Sequence, residues 1–589
     1  MTTPVFAYDR TRLLIVLLAL AVSLSVVCEL AAGPCLYFYR WPESDANFWD
    51  VWAISISRND WLNEKAPHPY TSWQARLADE VLALSRPDLT PEQLKSGEPQ
   101  RALWKVWYKP KEFHQEPLYV YMVAATYAIT GPRPWCVFAW QILLGAISVY
   151  LVFDMAERHF GRNAAILSGL MTALCPLLVF FQVQLLRETL LVFATLMAVR
   201  VAEWALERDT VKAYAVTGIV CGLATLAKAT FAIYPLLASV MLAWRLRKAL
   251  RQFAARLAAG LLGMLLATAP LMARNAFVGA PLTSLASQQS VSITASCVDY
   301  NRTGGALSVH SARILYESGG RFLPAMKLTL ATHPGWSSVL CMFIDKFRLI
   351  WHWREIPDNA SLGYFQLHSS VLRYLPAIWG LLAPIGLAGA ILAITRKRSN
   401  VPPLWPLLLM LFCLVFPMVL FATNSRYRAP LAALLAPFAG HFLVTAAEWI
   451  KEMRWRPMLA SAVSVALFFV WLSDIPQAYP IRPADYIVPV QFYYWPEYQQ
   501  ALSVGNFSQA RQTLDTLLQT EPDWIHHLGP DRMPRSDYER TLAHVFCEVR
   551  GWQVQALERA GLHEQAAAAK AALAKMVTAL ERSDTELLR

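Results

Sequence analysis

The chain has 589 residues, of which 56% are apolar and 16% are charged, whereas ordinary globular domains are about 45–50% apolar and about 25% charged. This composition excludes an intrinsically disordered protein, a secreted disulfide scaffold and a cytosolic enzyme. The formal net charge of +11 and the nine scattered cysteines, which show no metal-binding spacing, fit a membrane protein better than a nucleic-acid-binding one.

From the N-terminus onward, eleven apolar runs are candidates for membrane spans, which need about 20 residues each. They lie at 13–33, 135–153, 164–181, 188–206, 213–228, 230–244, 257–273, 374–394, 403–422, 429–447 and 458–474. A further run, 118–130, is too short to cross and is predicted to be re-entrant or interfacial. The pattern predicts an all-α polytopic membrane protein with a bundle of about 11–12 transmembrane helices.

Basic residues orient this bundle, because lysine and arginine accumulate on the cytoplasmic side of a membrane. Three basic clusters, at 245–256, 396–398 and 451–456, fall on one side together with the N-terminus when the spans alternate. Residues 34–117 and 274–373 then become large outer loops. This arrangement predicts a multi-pass membrane protein, surrounded by membrane lipids, whose large loops lie on the outer face.

The chain changes character after the last span. Residues 1–475 are predicted to form the transmembrane domain, and residues 476–589 a small helical domain in the periplasm. The spacing of small and apolar residues from Gly505 to Pro522 is similar to that of a tetratricopeptide helix pair, with an amphipathic tail as the alternative. Such pairs present a concave face to partners, so this domain is expected to recruit the acceptor or a protein partner. The Pro- and aromatic-rich segment 476–500 is expected to lie at the membrane surface.

Charged and polar side chains from distant parts of the chain map to the predicted outer side. They are Asp45, Asp50, His114, Glu116, Arg187, Glu188, Lys228, Arg274, Arg426 and Arg428. Cations suit a phosphate, carboxylates suit proton abstraction, and charged groups at this depth usually face a polar cavity. The sequence therefore predicts a site that binds an anionic lipid headgroup and abstracts a proton.

Several of these residues also have a structural explanation. Asp45 could cap the helix that follows it, and Arg187 with Glu188 could form a purely structural pair. His114 and Glu116 could share a divalent metal, hold a sugar or simply be solvated. A divalent metal is the one cofactor that this pattern allows.

Eight short motifs, spread over residues 10–475, carry a resemblance to a known superfamily. They are Ser44–Trp49, Glu116–Tyr119, Gln141–Gly145, His159–Gly161, Leu186–Thr189, His333–Trp336, Lys346 and Ser425–Pro430. In this order they resemble the GT-C-type membrane glycosyltransferases that use polyprenyl-phosphate sugars. Protein O-mannosyltransferases and the bacterial aminoarabinose transferases acting on lipid A are relatives in that superfamily.

The resemblance implies a sugar donor on undecaprenyl or a similar polyprenyl phosphate, reached from the outer face, and a glycan, lipid or protein acceptor. It places Asp45 at the position of the catalytic base, and it favours Arg187, Arg426 and Arg428 as the cations that meet the phosphate. Glu116 closes the first loop without the lysine and the second proline that follow this acidic residue in some members.

Two other classes of function compete with an enzyme. A transporter or flippase of a lipid-linked sugar also needs charged groups in a lumen, but the chain shows no internal repeat. A non-catalytic membrane scaffold would use the C-terminal helices for recruitment. The sequence favours a glycosyltransferase with Asp45 as general base, Asp50 in reserve and Glu116 as a further carboxylate of the site.

Overall fold

The computed structural model of the chain describes residues 10–32, 44–64, 67, 72–109, 111–299, 309–358, 360–395, 401–473, 489–490, 494–529, 532–534 and 537–587. Helices form the regular structure of these residues. In the first half of the chain they are α1 (Arg10–Ala32), α2 (Asp45–Ser57), α3 (Ser72–Ser85), α4 (Pro91–Lys95), α5 (Glu98–Tyr108), α6 (Leu118–Thr130), α7 (Pro134–Phe160), α8 (Arg162–Ala173), α9 (Pro176–Gln182), α10 (Glu188–Arg208), α11 (Val211–Ala227), α12 (Ile233–Arg245) and α13 (Leu250–Val278). In the second half they are α14 (Gln289–Ser296), α15 (Val309–Glu317), α16 (Phe322–Leu330), α17 (Trp336–Trp351), α18 (Leu362–His368), α19 (Ser370–Tyr374), α20 (Trp379–Thr395), α21 (Trp405–Leu420), α22 (Ser425–Lys451), α23 (Trp455–Ser473), α24 (Trp495–Ser503), α25 (Phe507–Leu518), α26 (Asp537–Arg559) and α27 (His563–Leu587).

Each predicted apolar run coincides with a helix or with a pair of helices. Since lipid offers the backbone no hydrogen-bond partners, a long apolar segment satisfies its N–H and C=O groups by forming a helix. Among the described residues, α7, α10, α13 and α22 are long and apolar enough to cross a membrane, and the bent pair α8–α9 makes a fifth candidate. Seven shorter apolar helices accompany them. The prediction of an all-α polytopic membrane protein is confirmed.

The predicted span 164–181 is not one continuous helix. α8 and α9 meet at a bend of 53°, because Pro176 opens α9 and the preceding Cys175 is extended, with a ψ of 112°. Proline lacks the N–H that would continue a helix and disfavours helical geometry at the residue before it. Hydropathy does not register this break. The predicted span 164–181 is therefore a broken helix pair, which is long and apolar enough to be one span.

α6 occupies the short apolar run 118–130. Its 13 residues rise about 20 Å at 1.5 Å per residue, which is less than the roughly 30 Å of a bilayer core. The helix ends at Gly131, whose φ is +75°, and α7 begins three residues later. The re-entrant or interfacial placement of α6 remains a prediction.

The chain divides into two compact units. The first contains Met1–Leu30, Trp49–Arg354 and Tyr374–Ala478, and the second contains Ala31–Phe48, Glu355–Arg373 and Tyr479–Arg589. The first unit holds the apolar helices from α6 to α13 and from α20 to α23. The second unit combines the C-terminal helices with pieces of both predicted outer loops, which the sequence did not indicate.

The second unit has a core of its own. Phe546 of α26 and Leu580 of α27 are buried in one apolar cluster. Tyr364, from the loop piece, is hydrogen-bonded to Tyr494 hydroxyl to hydroxyl, with the two ring centroids 6.1 Å apart. The loop piece therefore folds with the C-terminal helices. The tetratricopeptide-like arrangement stays a prediction, and most of segment 476–500 lies outside the described residues.

α11 and α13 approach each other so closely that glycine is required at the contact. A Cβ on Gly218 would lie 2.0 Å from the backbone oxygen of Gly260, and one on Gly263 would lie 2.1 Å from that of Ala215. Small residues allow helix backbones to pack in this way within membranes. Because α11 ends directly before Lys228, this contact also fixes the helix that carries Lys228.

Gly218→Ala should lower the thermal unfolding temperature of the detergent-solubilised protein, because the new methyl group forces α11 and α13 apart. Overpacking typically costs about 1–3 kcal/mol. Gly260→Ala is the matched control from the same contact, since its Cβ would lie 3.8 Å from the nearest atom, the backbone oxygen of Tyr214. Alanine also favours a helix by about 1 kcal/mol over glycine. Equal unfolding temperatures for the two variants would contradict the close contact.

At the opposite helix ends, on the predicted cytoplasmic side, charged residues pair with one another. Asp154 of α7 accepts hydrogen bonds from Arg158 and Arg200, both at 2.9 Å. Arg10 of α1 reaches the same carboxylate at 3.5 Å. These pairs join α1, α7 and α10. Of the three basic clusters, 396–398 lies outside the described residues.

Candidate active site

Helix ends bring five of the predicted charged residues together. Glu116 lies just before α6, Arg187 and Glu188 lie at the start of α10, Lys228 directly follows α11, and Arg426 lies in the first turn of α22. All of these positions are on the predicted outer side. Four of the side chains are buried, and Lys228 is partly buried.

Glu116 and Arg187 form a buried ion pair. Arg187 Nη1 donates to Glu116 Oε2 at 2.5 Å and to the backbone oxygen of Ala227 at 3.3 Å. The other carboxylate oxygen, Glu116 Oε1, accepts the N–H of Ala229 at 2.8 Å. Because Ala227 and Ala229 flank Lys228, the pair also fixes the backbone around that lysine.

Glu116 is held in its ionised form. Burial by itself raises the pKa of a carboxyl group, but the positive Arg187 and the N–H of Ala229 outweigh burial, and the pKa of Glu116 lies below its ordinary value. Both of its oxygens accept hydrogen bonds from N–H groups. Glu116 is therefore a fixed anion that orients Arg187.

A second buried ion pair joins Glu188 to Arg426, whose Nε donates to Glu188 Oε1 at 2.8 Å. Asn424 caps α22 by accepting the N–H of Tyr427 at 3.2 Å, which places Arg426 in the first helical turn. The sequence suggested that Glu188 pairs with its neighbour Arg187. The two residues instead take different partners, because consecutive residues at a helix start point about 100° apart around the axis.

Lys228 gives this cluster an excess of positive charge. Its ammonium nitrogen lies 3.6 Å from the centroid of the Tyr427 ring, a cation–π contact. Within the described part of the chain, no carboxylate forms an ion pair with Lys228. Three cations, Lys228, Arg187 and Arg426, therefore face two carboxylates. An anion would complete the charge balance.

Aromatic rings from α2 and α6 line the cluster. The guanidinium carbon of Arg187 lies 5.7 Å from the centroid of the Trp49 ring, and Trp49 meets Tyr119 edge-on at 5.3 Å. Both rings are completely buried. Asp50, the residue after Trp49, accepts the hydroxyl of Tyr127 at 2.5 Å. These contacts fix α2 against α6 beside Arg187.

Asp45 is the first residue of α2 and belongs to the second compact unit. The cap of this helix comes from its neighbour, because Ser44 Oγ accepts the N–H of Asn47 at 3.1 Å. The capping role considered for Asp45 is therefore filled by Ser44.

Arg274 and Arg428 use their guanidinium groups to hold loop backbone. Arg274 donates to the backbone oxygen of Lys111 at 2.8 Å, and Arg428 donates to that of Leu349 at 2.6 Å. Both accepting residues lie in the predicted outer loops. His114, in the first of these loops, is buried. These hydrogen bonds fix both guanidinium groups to backbone oxygens, and the predicted contact of Arg274 and Arg428 with the donor stays a prediction.

The residues of the site do not fit a divalent metal. The described part of the chain contains no group of three or more His, Cys, Asp or Glu side chains able to hold a metal ion. Of the two residues that the sequence offered as ligands, His114 and Glu116, the carboxylate already accepts N–H groups with both oxygens. No step of the chemistry is assigned to a metal here.

Sequence reasoning did not identify the buried amide that supports the cluster. Gln141 of α7 accepts the hydroxyl of Tyr119 at 2.9 Å and donates to the backbone oxygens of Gln182 and Gln184. Trp49 and Tyr427 were likewise not singled out. A glutamine in the middle of an apolar helix was the available signal, and Gln141 entered the sequence interpretation only as part of a motif.

Residues 110–272 match the family model described as dolichyl-phosphate-mannose-protein mannosyltransferase. The resemblance to the GT-C-type membrane glycosyltransferases is confirmed. The matched range of the chain contains Glu116, Arg187, Glu188 and Lys228, four of the five charged residues in the cluster. No curated protein matches the chain.

The chain is also similar to several solved structures, among them the following two. ArnT from Cupriavidus metallidurans, bound to undecaprenyl phosphate, is 16% identical with a TM-score of 0.33, over 88% of this chain and 78% of ArnT. The archaeal oligosaccharyltransferase AglB from Archaeoglobus fulgidus, in complex with an inhibitory peptide and a dolichol-phosphate, is 13% identical with a TM-score of 0.35. That match covers 72% of this chain and 55% of AglB.

Proposed function

We propose that this protein transfers a sugar from a polyprenyl-phosphate carrier to a glycan, lipid or protein acceptor on the periplasmic face of a bacterial inner membrane. The observation that carries the proposal is the buried cluster of two Arg–Glu ion pairs. Lys228 lies in the same cluster and forms no ion pair with a carboxylate of the described residues. The matching family is described by a dolichyl-phosphate donor, and the ArnT and AglB structures contain undecaprenyl phosphate and a dolichol-phosphate.

Lys228 is the cation with charge to spare for a donor phosphate. Arg187 and Arg426 are already oriented by their carboxylates. A phosphate gains negative charge as it leaves, and fixed cations in a site with little water stabilise that charge without having to reorganise. The Nε of Arg187 and the Oε2 of Glu188 are buried without a hydrogen-bond partner among the described residues. The cluster therefore keeps a donor and an acceptor for a ligand.

The reaction is a displacement at the anomeric carbon of the sugar. Asp45 takes the proton of the acceptor hydroxyl, whose oxygen forms a bond to the anomeric carbon. The bond from that carbon to the phosphate oxygen breaks, and polyprenyl phosphate leaves with the bonding electron pair. Asp45 is assigned to this step because it occupies the position that the catalytic base has in the superfamily that the sequence resembles.

A small, largely apolar cavity lies among α1, α7, α8, α9, α10 and α22. Its volume of about 20 Å³ has room for one or two water molecules. Leu178, Phe181 and Val192 contribute apolar walls, and Thr189 lines it directly after Glu188.

The proposed function is tested with the purified, full-length protein and a polyprenyl-phosphate sugar. We expect release of free polyprenyl phosphate, slowly by hydrolysis when no acceptor is present and faster with an acceptor, followed by mass spectrometry. Transport of the intact lipid-linked sugar across a vesicle membrane without bond cleavage would replace the enzyme by a transporter. Neither cleavage nor transport would favour the scaffold.

Lys228→Met should raise the KM for the lipid-linked donor by about 10-fold or more, because a hydrogen bond to a charged group contributes about 1.5–3 kcal/mol. Lys212→Met is the matched control, since Lys212 is exposed at the other end of the same helix. An unchanged KM for Lys228→Met, with both variants folded, would remove Lys228 from the phosphate site.

Removal of residues 500–589 should leave donor hydrolysis intact and weaken transfer to the native acceptor, because the C-terminal helices are assigned to recruitment. The cut keeps Tyr494, which contacts Tyr364 of the loop piece. Donor hydrolysis and transfer are measured separately on the same preparation. Loss of both activities from a well-folded truncation would show instead that the second unit, which contains Asp45, needs these helices for the chemistry.

A further inference from the structure

Gln141 lies at the centre of a buried hydrogen-bond network that the proposed mechanism does not use. Its side chain is completely buried on α7. Its Oε1 accepts the hydroxyl of Tyr119 at 2.9 Å. Its Nε2 donates to the backbone oxygens of Gln182 at 3.0 Å and of Gln184 at 2.8 Å. One amide thus contacts α6, the end of α9 and the segment that leads into α10.

This network joins the two sides of the Glu116–Arg187 ion pair. Tyr119 follows Glu116 by three residues, at the start of α6. Gln184 precedes Arg187 by three residues, in the non-helical segment between α9 and α10. Gln141 therefore sets the distance between the backbone segments from which the two charged side chains extend.

A glutamine side chain has the hydrogen-bonding groups that suit the non-helical segment between α9 and α10. Gln182 is the last residue of α9, so no further helical turn supplies a donor for its backbone oxygen. The backbone oxygen of Gln184 accepts the N–H of Leu186 at 2.8 Å in addition to the amide of Gln141. An unsatisfied backbone group in a membrane interior costs several kcal/mol. A primary amide offers two donors and one acceptor oxygen, and here both donors and the oxygen are used. Asparagine has the same groups on a side chain shorter by one carbon.

A second residue of α7, Gly145, also lies against the end of α9. Gly145, one helical turn after Gln141, faces the side chain of Gln182, and a Cβ at this position would lie only 2.3 Å from Gln182 Cδ. Gln182 Oε1 in turn accepts the hydroxyl of Ser25 at 2.7 Å. One face of α7 therefore carries Gln141, whose amide binds the backbone between α9 and α10, and Gly145, which leaves space for the side chain of Gln182.

We propose that Gln141 is a positioning residue for the transfer reaction, which holds Arg187 against Glu116 so that the guanidinium meets the departing phosphate. The inference rests on the proposed function of the charged cluster. Gln141 itself touches neither substrate nor reacting atoms. Its effect on the rate passes through the placement of Arg187.

The test is a double-mutant cycle of donor hydrolysis with Gln141→Leu and Arg187→Lys in the full-length protein. Gln141→Leu should lower kcat by roughly 10²-fold, the size of effect that a misplacement of about 1 Å produces. Adding Gln141→Leu to Arg187→Lys should cause less than about a 3-fold further loss, because residues that act through one another are not additive. Thr195→Val is the matched control: Thr195 is also completely buried and donates to the backbone oxygen of Leu191 at 2.7 Å within α10.

The outcomes separate this inference from the proposed function. If the wild-type protein does not cleave the donor, the proposed function is refuted. An active protein in which the losses from Gln141→Leu and Arg187→Lys multiply, or in which Thr195→Val is equally damaging, refutes the positioning role. If Gln141→Leu does not fold, Tyr119→Phe replaces it in the cycle, since it removes only the hydroxyl that Gln141 accepts. The same non-additivity with Arg187→Lys is then expected, and multiplying losses again refute the role.

Discussion

Asp45→Asn should reduce sugar transfer by about 10²–10⁴-fold, the usual contribution of a general base, while the protein folds normally. Asparagine has nearly the same shape as aspartate but does not accept a proton. The cap of α2 is provided by Ser44, so the substitution does not remove a helix cap. Transfer is measured with a lipid-linked sugar donor, and folding by thermal unfolding in detergent.

Asp50→Asn is the informative comparison, because Asp50 is the reserve candidate for the base. Asp50 accepts the hydroxyl of Tyr127, and the oxygen of an asparagine side chain is able to accept the same hydrogen bond. We therefore expect a smaller loss than for Asp45→Asn. Near-normal turnover by Asp45→Asn would refute its assignment, and a large loss confined to Asp50→Asn would transfer the role to Asp50.

The helices of the membrane domain were predictable because lipid leaves a long apolar segment one satisfactory backbone structure. The run 188–206 lies within α10, Glu188–Arg208, and the run 118–130 coincides with α6. The bend at Pro176 was missed because hydropathy averages over a window. The assignment of Ala31–Phe48 and Glu355–Arg373 to the C-terminal unit depends on contacts between distant segments, which a pattern along one chain does not contain.

The candidate site was predictable as a set of charges but not as a set of pairs. Charged residues in apolar surroundings are rare and expensive, so Glu116, Arg187 and Glu188 stood out in the sequence. Their pairing follows from helix directions, which send Arg187 to Glu116 and Glu188 to Arg426. The sequence ranked Arg428 equally with Arg426, and in the structure Arg428 donates to the backbone oxygens of Arg354 and Leu349.

Arg187→Leu should both destabilise the protein and abolish donor cleavage, whereas combining it with Glu116→Gln should restore most of the stability and none of the activity. Removing one partner of a buried ion pair typically costs about 3–5 kcal/mol, because the remaining charge is left without compensation. Glu116 is held in its charged form by Arg187 and the N–H of Ala229. Glutamine in its place keeps an oxygen for Ala229 and brings no charge that needs a partner.

The double variant separates the structural role of the pair from its chemical role. If Arg187 served only to neutralise Glu116, the restored protein would cleave the donor again. If Arg187 stabilises the departing phosphate, cleavage stays at background although the unfolding temperature has recovered. Arg426→Leu with Glu188→Gln provides a second buried pair for comparison. Recovery of both stability and cleavage by the Glu116→Gln/Arg187→Leu variant would contradict the role of Arg187 at the phosphate.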